Sequence, residues 1–526
     1  MHPALRRAAK PGLALALLLA MVLLSRDFGA TWDERALQKY GEEIWNVYAG
    51  RAPRSSIDLS FGYVRLYGAL VEVLSVTVQR LVPVDIWMVR HAVNSVFGWI
   101  GVVFAFLLGR RLAGERAGWL AAILLLSMPR YVGESMNNPK DLPFATLMLA
   151  ALYFIVTVRP VYPYLPWGHA AKLAAAIALT LNVRAMGLVL LAYTALALAI
   201  AIYTAGDWSP DRLAKTTGRY LLVAVAALVG GTAFWPWAQE QPLLRPIEAF
   251  FTASGFSWGN PSIFGGRDVP SAQLPWHYLP TWLFLSVPPV VLLGAALSLV
   301  RLWRTQASRV QLAAVWAFVL IPATVVIVRH LTLYDGIRHV FFIVPPLAVL
   351  AAAGWDFALR SARGGAAAVW VSCALAIGIA EPVLFQLRNH PNQYVYFTPL
   401  IGGPRAAFGQ YEMDYWGNCV LQAVEWSAAT AERAQIPLGV TVNAWEVGVV
   451  DAGRFPALWF RMRDQGGYHL DIRLLKGSRQ DVIDAAVHPD VIHRVTTSDG
   501  TPLCVVLRGP EYPELEARLN RLALVR

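Results

Sequence analysis

Apolar runs recur along the first three quarters of this 526-residue chain. Residues 102–108 and 120–126, for example, contain no charged side chain. Over the whole chain 56% of the residues are hydrophobic and only 15% are charged, whereas a soluble domain carries about a quarter charged residues. This pattern predicts a polytopic α-helical membrane protein, because only segments that satisfy their own backbone polar groups can cross lipid.

We predict about eleven membrane-spanning helices from these runs. A short apolar segment at 13–24 follows three basic residues, and it is either a cleaved signal peptide or a retained first helix. We prefer the retained helix, because no clear small-residue cleavage site follows it. The other predicted spans are 92–109, 117–133, 142–158, two short helices within 169–204, 220–236, 279–300, 311–328, 340–355 and 366–385.

The basic residues indicate the topology. The formal net charge is +11, and Lys and Arg gather in short clusters between apolar runs. This is the positive-inside pattern rather than a nucleic-acid-binding surface. With a cytoplasmic N-terminus, the basic loops inside are 110–116, 159–168, 205–219, 301–310 and 356–364. The loops outside are 26–90, with helices on the membrane surface, 134–141, 182–186, 237–278 and 329–339.

The tail at 386–526 is polar, and we predict that it forms an extracytoplasmic α/β domain after a membrane domain at 1–385. A helical pattern covers 418–434, and strand-like runs lie at 438–442, 469–475, 491–496 and 503–507. The chain has three cysteines, and Cys373 lies in an apolar run. Cys419 and Cys504 lie in the tail and can form a bridge if the tail faces an oxidising space.

Two adjacent acids, Asp33 and Glu34, follow the first apolar segment on the outside face. A carboxylate pair here can deprotonate an acceptor hydroxyl or hold a cation. The alternative is an acidic pair at the start of a helix, with Thr31 as the N-cap. We prefer the catalytic interpretation for both acids, because the other outside loops are also unusually polar.

A second polar segment precedes the span at 142–158. Lys140 beside Asp141 can bind a phosphate that Asp141 orients, with Asn138 as a further polar group. Asp141 can equally be a simple N-cap, and both interpretations stay open. Arg184 lies in a tight outside turn, where it either reaches lipid headgroups or grips a lipid phosphate.

The outside loop 329–339 carries a set of basic, aromatic and acidic candidates: Arg329, His330, Tyr334, Asp335, Arg338 and His339. Their spacing matches no zinc pattern, and we prefer a phosphate or pyrophosphate clamp to plain interface anchoring. Arginines on the outside face should have an anionic partner there. Trp276 belongs either to an aromatic interface belt, which we prefer, or to a sugar-stacking site. No cofactor is assigned, and the question of a divalent metal stays open.

Several segments, taken in order, resemble the GT-C glycosyltransferases, in particular glycosyltransferase family 39. That family includes the protein O-mannosyltransferases and the bacterial lipid A aminoarabinose transferase. The resemblance covers roughly residues 1–385. The segments that carry it are Trp32-Asp33-Glu34, 90–114, 138–144 and Arg338-His339-Val340 leading into Pro345-Pro346.

The resemblance implies an inverting hexosyltransferase in a bacterial inner membrane. Its donor would be a sugar on a polyprenyl phosphate, and its acceptor a lipid, glycan or protein on the outside face. Asp33 would be the general base and Asp141 its support. Lys140, Arg184 and Arg338 would hold the lipid phosphate, whose negative charge grows as the glycosidic bond breaks.

Two other functions compete with this one. A transporter or flippase of lipid-linked substrates would place ionisable residues in the middle of its spans, whereas here they gather at one surface. A non-catalytic membrane assembly protein would use its tail as a binding module and would tolerate the loss of Asp33.

Overall fold

The computed structural model describes residues 3–60, 64–158, 165–206, 208–256, 258–306, 308–362, 364–442, 452–461 and 465–524. Helices dominate up to residue 388. In chain order they are α1 Pro3–Leu24, α2 Trp32–Tyr48, α3 Leu70–Leu81, α4 Ile86–Ala113, α5 Glu115–Ser127, α6 Pro129–Asn137, α7 Asp141–Val156, α8 Trp167–Leu181, α9 Val189–Ala205, α10 Pro210–Gly230, α11 Pro236–Gln239, α12 Arg245–Ser254, α13 Tyr278–Ser286, α14 Pro289–Arg304, α15 Arg309–Val328, α16 Val344–Ser361 and α17 Gly365–Arg388. A 3₁₀ turn, Arg338–Ile343, leads into α16.

Six helical segments in the described ranges are long and apolar enough to cross a membrane, or up to nine if three bent helix pairs each form one span. The fold is therefore that of a polytopic helical membrane protein, as predicted. The predicted count of about eleven spans is not confirmed. Helix α5 has 13 residues and α8 has 15, and helices of that length reach about 20 Å, short of the roughly 30 Å of a hydrocarbon core.

The bent pairs place polar segments at the breaks between helices. The first pair, which ends in α2, turns by 110°, as expected for a helix that lies along the membrane surface after a span. Helices α6 and α7 meet at 112°. Residues 138–140 form this second break, so their polar groups lie between two helix ends rather than inside a helix.

Helix α16 lies in the middle of the bundle, and its residues from Val344 to Asp356 are all buried. It packs closely on α14 through two glycines. A Cβ atom at Gly354 would lie 1.9 Å from the carbonyl oxygen of Gly294. The fixed helix α16 positions the turn before it, which carries Arg338.

The tail forms a five-stranded sheet with helices. Its strands are β3 Leu438–Val442, β4 Leu458–Arg461, β5 Leu470–Leu474, β6 Val491–Thr496 and β7 Pro502–Arg508, in the order β4-β3-β5-β7-β6. Strands β4, β3 and β5 are parallel, and β7 is antiparallel to both β5 and β6. A hairpin, β1 Pro261–Phe264 and β2 Arg267–Pro270, lies earlier in the chain. The tail helices are α18 Gly403–Ala407, α19 Cys419–Ala434, α20 Arg479–Val487 and α21 Tyr512–Leu524.

The tail agrees closely with its sequence pattern. Helix α19 and four of the strands lie where they were predicted, while β4 was missed. A disulfide joins Cys419 at the start of α19 to Cys504 in β7, whereas Cys373 is free and exposed. The domain boundary at 385 stays a prediction.

Candidate functional site

Asp33 lies in the first turn of α2 and contacts two cations. One carboxylate oxygen accepts from Nη2 of Arg338 at 2.6 Å and lies 3.5 Å from Nζ of Lys140. Two cationic partners favour the ionised carboxylate. The side chain of Asp33 is 29% exposed, so this carboxylate is paired and still accessible to a small group.

Glu34 points the other way, into the protein, and is only 1% exposed. Its carboxylate accepts the main-chain N–H of Thr31 at 2.7 Å and contacts Arg90 at 3.4 Å and His91 at 3.2 Å. The capping interpretation therefore describes Glu34. Of the two predicted catalytic acids at this position, only Asp33 faces open space.

Arg338 joins three carboxylates through its three guanidinium nitrogens. Nε donates to Asp141 at 3.1 Å, Nη1 to Asp335 at 3.1 Å and Nη2 to Asp33 at 2.6 Å. The ring of Trp416, from the tail, lies 4.2 Å from the guanidinium carbon. Arg338 therefore has the anionic partners that the sequence predicted for it. The planar fork of arginine suits such a multiple contact, which one ammonium group cannot reproduce.

Asp141 begins α7 but does not cap it. The side-chain oxygen of Asn138 accepts the main-chain N–H groups of Lys140 at 3.2 Å and of Asp141 at 2.9 Å. The amide nitrogen of Asn138 donates to the Asp141 carboxylate at 3.1 Å. That carboxylate also pairs with Arg184 and Arg338. The N-cap alternative for Asp141 is therefore wrong, because Asn138 holds the free N–H groups of the helix start.

Lys140 and Arg184 flank one aromatic ring, that of Tyr67. The Lys140 ammonium lies 4.9 Å and the Arg184 guanidinium carbon 5.7 Å from its centre. Gly68 brings this ring close to Arg184, because a Cβ atom at position 68 would lie 2.1 Å from the carbonyl oxygen of Asn182. The two loops meet backbone to backbone at that point, and only glycine allows the approach.

The structure thus assembles an ion-pair cluster, by which we mean these seven side chains: Asp33, Asp141, Asp335, Lys140, Arg184, Arg338 and Lys476. Four cations face three carboxylates. Lys476, from the turn after β5, contacts Asp335 at 2.8 Å. Six of the seven were candidates from the sequence, with Asp335 in the candidate set of the loop 329–339, whereas Lys476 was missed.

Tyr334 and His339 border the cluster. The ring of Tyr334 stacks on Trp258 with 4.5 Å between centres, and it meets His339 edge-on at 4.3 Å. Burial raises the pKa of the Tyr334 hydroxyl well above its usual value, so the hydroxyl stays protonated and can donate a hydrogen bond. Nδ1 of His339 is buried without a hydrogen-bond partner among the described residues.

Three predicted residues have no described contact with the cluster. Arg329 follows the last residue of α15 and is exposed, and His330 and Trp276 line a separate small cavity beside Leu331. Trp276 is 67% exposed, which favours the interface-belt interpretation over sugar stacking. Only the second half of the loop 329–339 therefore contacts the cluster.

A further layer of contacts supports the cluster from the tail. The carboxylate of Glu134 accepts from the Tyr415 hydroxyl, from Nε1 of Trp416 at 2.9 Å and from the amide of Asn138. Asn138 in turn holds Asp141. Sequence reasoning missed these partners, because the link between α6 and the tail spans 281 residues and leaves no local pattern.

Within the described residues, no three His, Cys, Asp or Glu side chains are grouped as a metal site would require. The three carboxylates of the cluster are paired with Lys and Arg side chains instead.

No protein-family model matches the chain, and no curated protein matches it in sequence. Solved structures resemble it in overall arrangement. ArnT from Cupriavidus metallidurans in the apo state is 15% identical, with coverage of 95% of this chain and 98% of ArnT and a TM-score of 0.47. The same protein bound to undecaprenyl phosphate is 16% identical, with the same coverage and TM-score.

The oligosaccharyltransferase from Archaeoglobus fulgidus is 12% identical, with coverage of 83% of this chain and 63% of that protein and a TM-score of 0.44. ArnT and this enzyme are both GT-C proteins, the group that the sequence resembles. The likeness to both proteins is one of overall arrangement.

Proposed function

We propose that this chain is an integral membrane glycosyltransferase of the GT-C kind, which takes a hexose from a polyprenyl phosphate and inverts the anomeric carbon. One observation carries the proposal. Asp33 is the most exposed carboxylate of the ion-pair cluster, and it shares Arg338 with the buried Asp141. Such a site holds a carboxylate that can act as a base directly beside cationic side chains that can bind a phosphate.

The donor phosphate would bind beside Tyr67, where Lys140 and Arg184 present their charges. Both side chains are partly exposed, at 17% and 11%. A phosphate that leaves as a dianion competes for the cations that hold Asp33 in the free protein. As Lys140 turns towards the phosphate, Asp33 loses one of its two counter-charges and becomes a stronger base, while Arg338 stays in contact with it and orients it.

The proposed transfer is a single displacement at the anomeric carbon. The acceptor oxygen attacks the anomeric carbon, and the bond between that carbon and the phosphate oxygen breaks. The phosphate leaves with the electron pair, and its growing charge is stabilised by Lys140 and Arg184. Asp33 takes the proton of the acceptor hydroxyl. Asp141 does not reach the acceptor, because it is 2% exposed, and it orients Arg184 and Arg338 instead.

We propose that the cluster faces the extracytoplasmic side. The basic loops at the opposite helix ends support this orientation under the positive-inside rule. The disulfide between Cys419 and Cys504 supports it independently, because bridges persist in oxidising compartments. The site and the tail share this face, since Trp416 and Lys476 contact the cluster.

The position of the charges argues against a transporter. Asp33 lies in the first turn of α2, Asp141 begins α7 and Arg338 precedes α16. These groups lie at helix ends near one surface, whereas transporters place their ionisable groups and broken helices at the bilayer midplane.

The test compares wild type with Asp33→Asn in membranes of a strain that lacks the native gene, with mass spectrometry of its glycoconjugates. Wild type is expected to add a hexose-sized mass, and the Asn variant to lose it at equal expression. Asp58→Asn is the matched control, because Asp58 lies in the same outside loop and pairs with Lys39 at the surface. A wild-type profile that matches the deletion strain, or an Asp33→Asn variant with full transfer, would contradict the proposal.

A further inference from the structure

One lysine of the tail, Lys476, belongs to the ion-pair cluster. Lys476 follows β5, and its ammonium donates to Asp335 at 2.8 Å and to the carbonyl oxygen of Tyr415 at 3.3 Å. The same ammonium lies 4.0 Å from the centre of the Trp32 ring. It therefore touches both the residue next to Asp33 and the carboxylate that shares Arg338 with Asp33.

The residue type is unusual for this part of the chain. Only six of the 45 basic residues are lysines, and Lys476 is the only one after position 215. Two of the six, Lys140 and Lys476, belong to the cluster. Lysine carries a compact charge with three rotatable donors, so one ammonium can serve a carboxylate, a carbonyl and a ring at once.

Asp335 explains why that charge matters. Its carboxylate has two cationic partners, Arg338 at 3.1 Å and Lys476 at 2.8 Å. Without Lys476, the full charge of Asp335 would act on Arg338 and draw the guanidinium away from Asp33. A second acid, Glu412, accepts the main-chain N–H of Asp335 at 3.1 Å, so loss of the lysine would leave two acids close together.

We propose that Lys476 is a positioning residue, through which the C-terminal domain completes the transferase site. It neutralises Asp335 and so keeps Arg338 directed at Asp33. The inference rests on the proposed function and deepens it, because the site would then be shared between the membrane helices and the sheet domain.

The experiment uses the full-length chain in lipid nanodiscs. A polyprenyl-phosphate hexose is the donor, membranes of the gene-deleted strain supply the acceptor, and release of polyprenyl phosphate is measured. Lys476→Met is expected to lower the rate by up to about 100-fold, as a misplaced catalytic group does. Lys476→Arg is expected to recover most of the rate because it keeps the charge. Lys39→Met is the matched control, since Lys39 pairs with Asp58 at the surface.

A double variant separates positioning from plain structural support. Asp335→Asn alone is expected to lower the rate, because Arg338 loses a partner. In the Lys476→Met background it is expected to raise the rate, because the uncompensated charge has been removed. A Lys476→Met rate equal to that of Lys39→Met would overturn the inference, as would equal loss in Lys476→Met and Lys476→Arg with lowered thermal stability. If Asp33→Asn keeps full activity in the same assay, the proposed function fails instead.

Discussion

At the scale of single residues, one arginine organises the site. Arg338 is buried, yet its three nitrogens reach Asp33, Asp141 and Asp335. A buried cation is costly unless it is fully paired, and these contacts supply that pairing. The three carboxylates that offset the desolvation of Arg338 come from parts of the chain that are far from one another in sequence. Because all three bind one guanidinium group, the position of each depends on the other two.

Glu412 makes stability depend on pH. Burial, followed by the nearby charge of Asp335, raises the pKa of this carboxyl to about 8 from its usual 4.5, against the opposing effect of Lys476. The folded chain therefore holds an extra proton between these values. We expect this stabilising contribution to be complete below about pH 4.5 and lost as the pH rises through about 8. Thermal unfolding of wild type and of Glu412→Gln across this pH range measures the contribution. The stability of the Gln variant is expected to change less with pH than that of wild type.

Glu432→Gln provides the control for that measurement, because Glu432 is exposed in α19. The stability of Glu432→Gln should change with pH as steeply as that of wild type. Equal slopes in Glu412→Gln and wild type would show that another group causes the pH dependence.

At the scale of elements, breaks between helices position the chemistry. The 112° turn between α6 and α7 places Asn138 and Lys140 at a helix start, where free N–H groups need acceptors. Asn138 supplies the acceptor and releases Asp141 for its ion pairs. The same logic holds at α2, where Glu34 serves the helix start and Asp33 is left for the site.

The close approach at Gly68 gives a prediction for these elements. Gly68→Ala would place a methyl group against the backbone of Asn182, 2.1 Å from its carbonyl oxygen. The loop before α3 must then shift, which moves Tyr67 away from Arg184. We expect lower thermal stability, by roughly 1–3 kcal/mol as for other overpacked sites, and slower transfer.

Gly218→Ala is the matched control for this variant, because a Cβ atom there meets nothing within 4 Å. It lies inside α10, where alanine is the better helix former. In both thermal unfolding and the polyprenyl phosphate release assay, Gly68→Ala should fall below wild type while Gly218→Ala should not. A Gly68→Ala variant that behaves like Gly218→Ala would show that the loops can move apart without cost.

At the scale of the whole molecule, the sheet domain and the membrane helices form one site. The tail braces Glu134 through Tyr415 and Trp416, covers Arg338 with an aromatic ring and adds Lys476. The proposed extracytoplasmic orientation of the cluster therefore places the tail on that face as well.

The cysteines test that placement. In intact cells, Cys419 and Cys504 are expected to resist maleimide labelling until a reductant is added, because they are bridged. Cys373 is the one free thiol in the described chain, and Cys373→Ser removes its background. Loss of the bridge in Cys419→Ser should lower the stability of the tail by about 2–4 kcal/mol. Labelling of both tail cysteines without reductant would contradict an oxidising location.

The sequence predicted individual residues better than their partners. Asp33, Lys140, Asp141, Arg184 and Arg338 were all selected because charged groups beside membrane spans are costly without a function. Arg329 and His330 met the same criterion and lie elsewhere, because a short loop can turn only part of its length towards a site. Glu34 was assigned a catalytic role, which stays a prediction, and its buried carboxylate caps the start of α2.

Composition and periodicity alone determined that the chain crosses a membrane, which loops carry unusual polar groups, and that a helix and several strands follow in the tail. Those properties arise from local hydrophobicity and spacing, so they can be read from neighbouring residues. Only the tertiary structure decided that Asp335 and Lys476 share one contact across 141 residues, and that Tyr67 reaches Arg184. Such contacts depend on how helices pack and where the tail docks, and no local pattern records either.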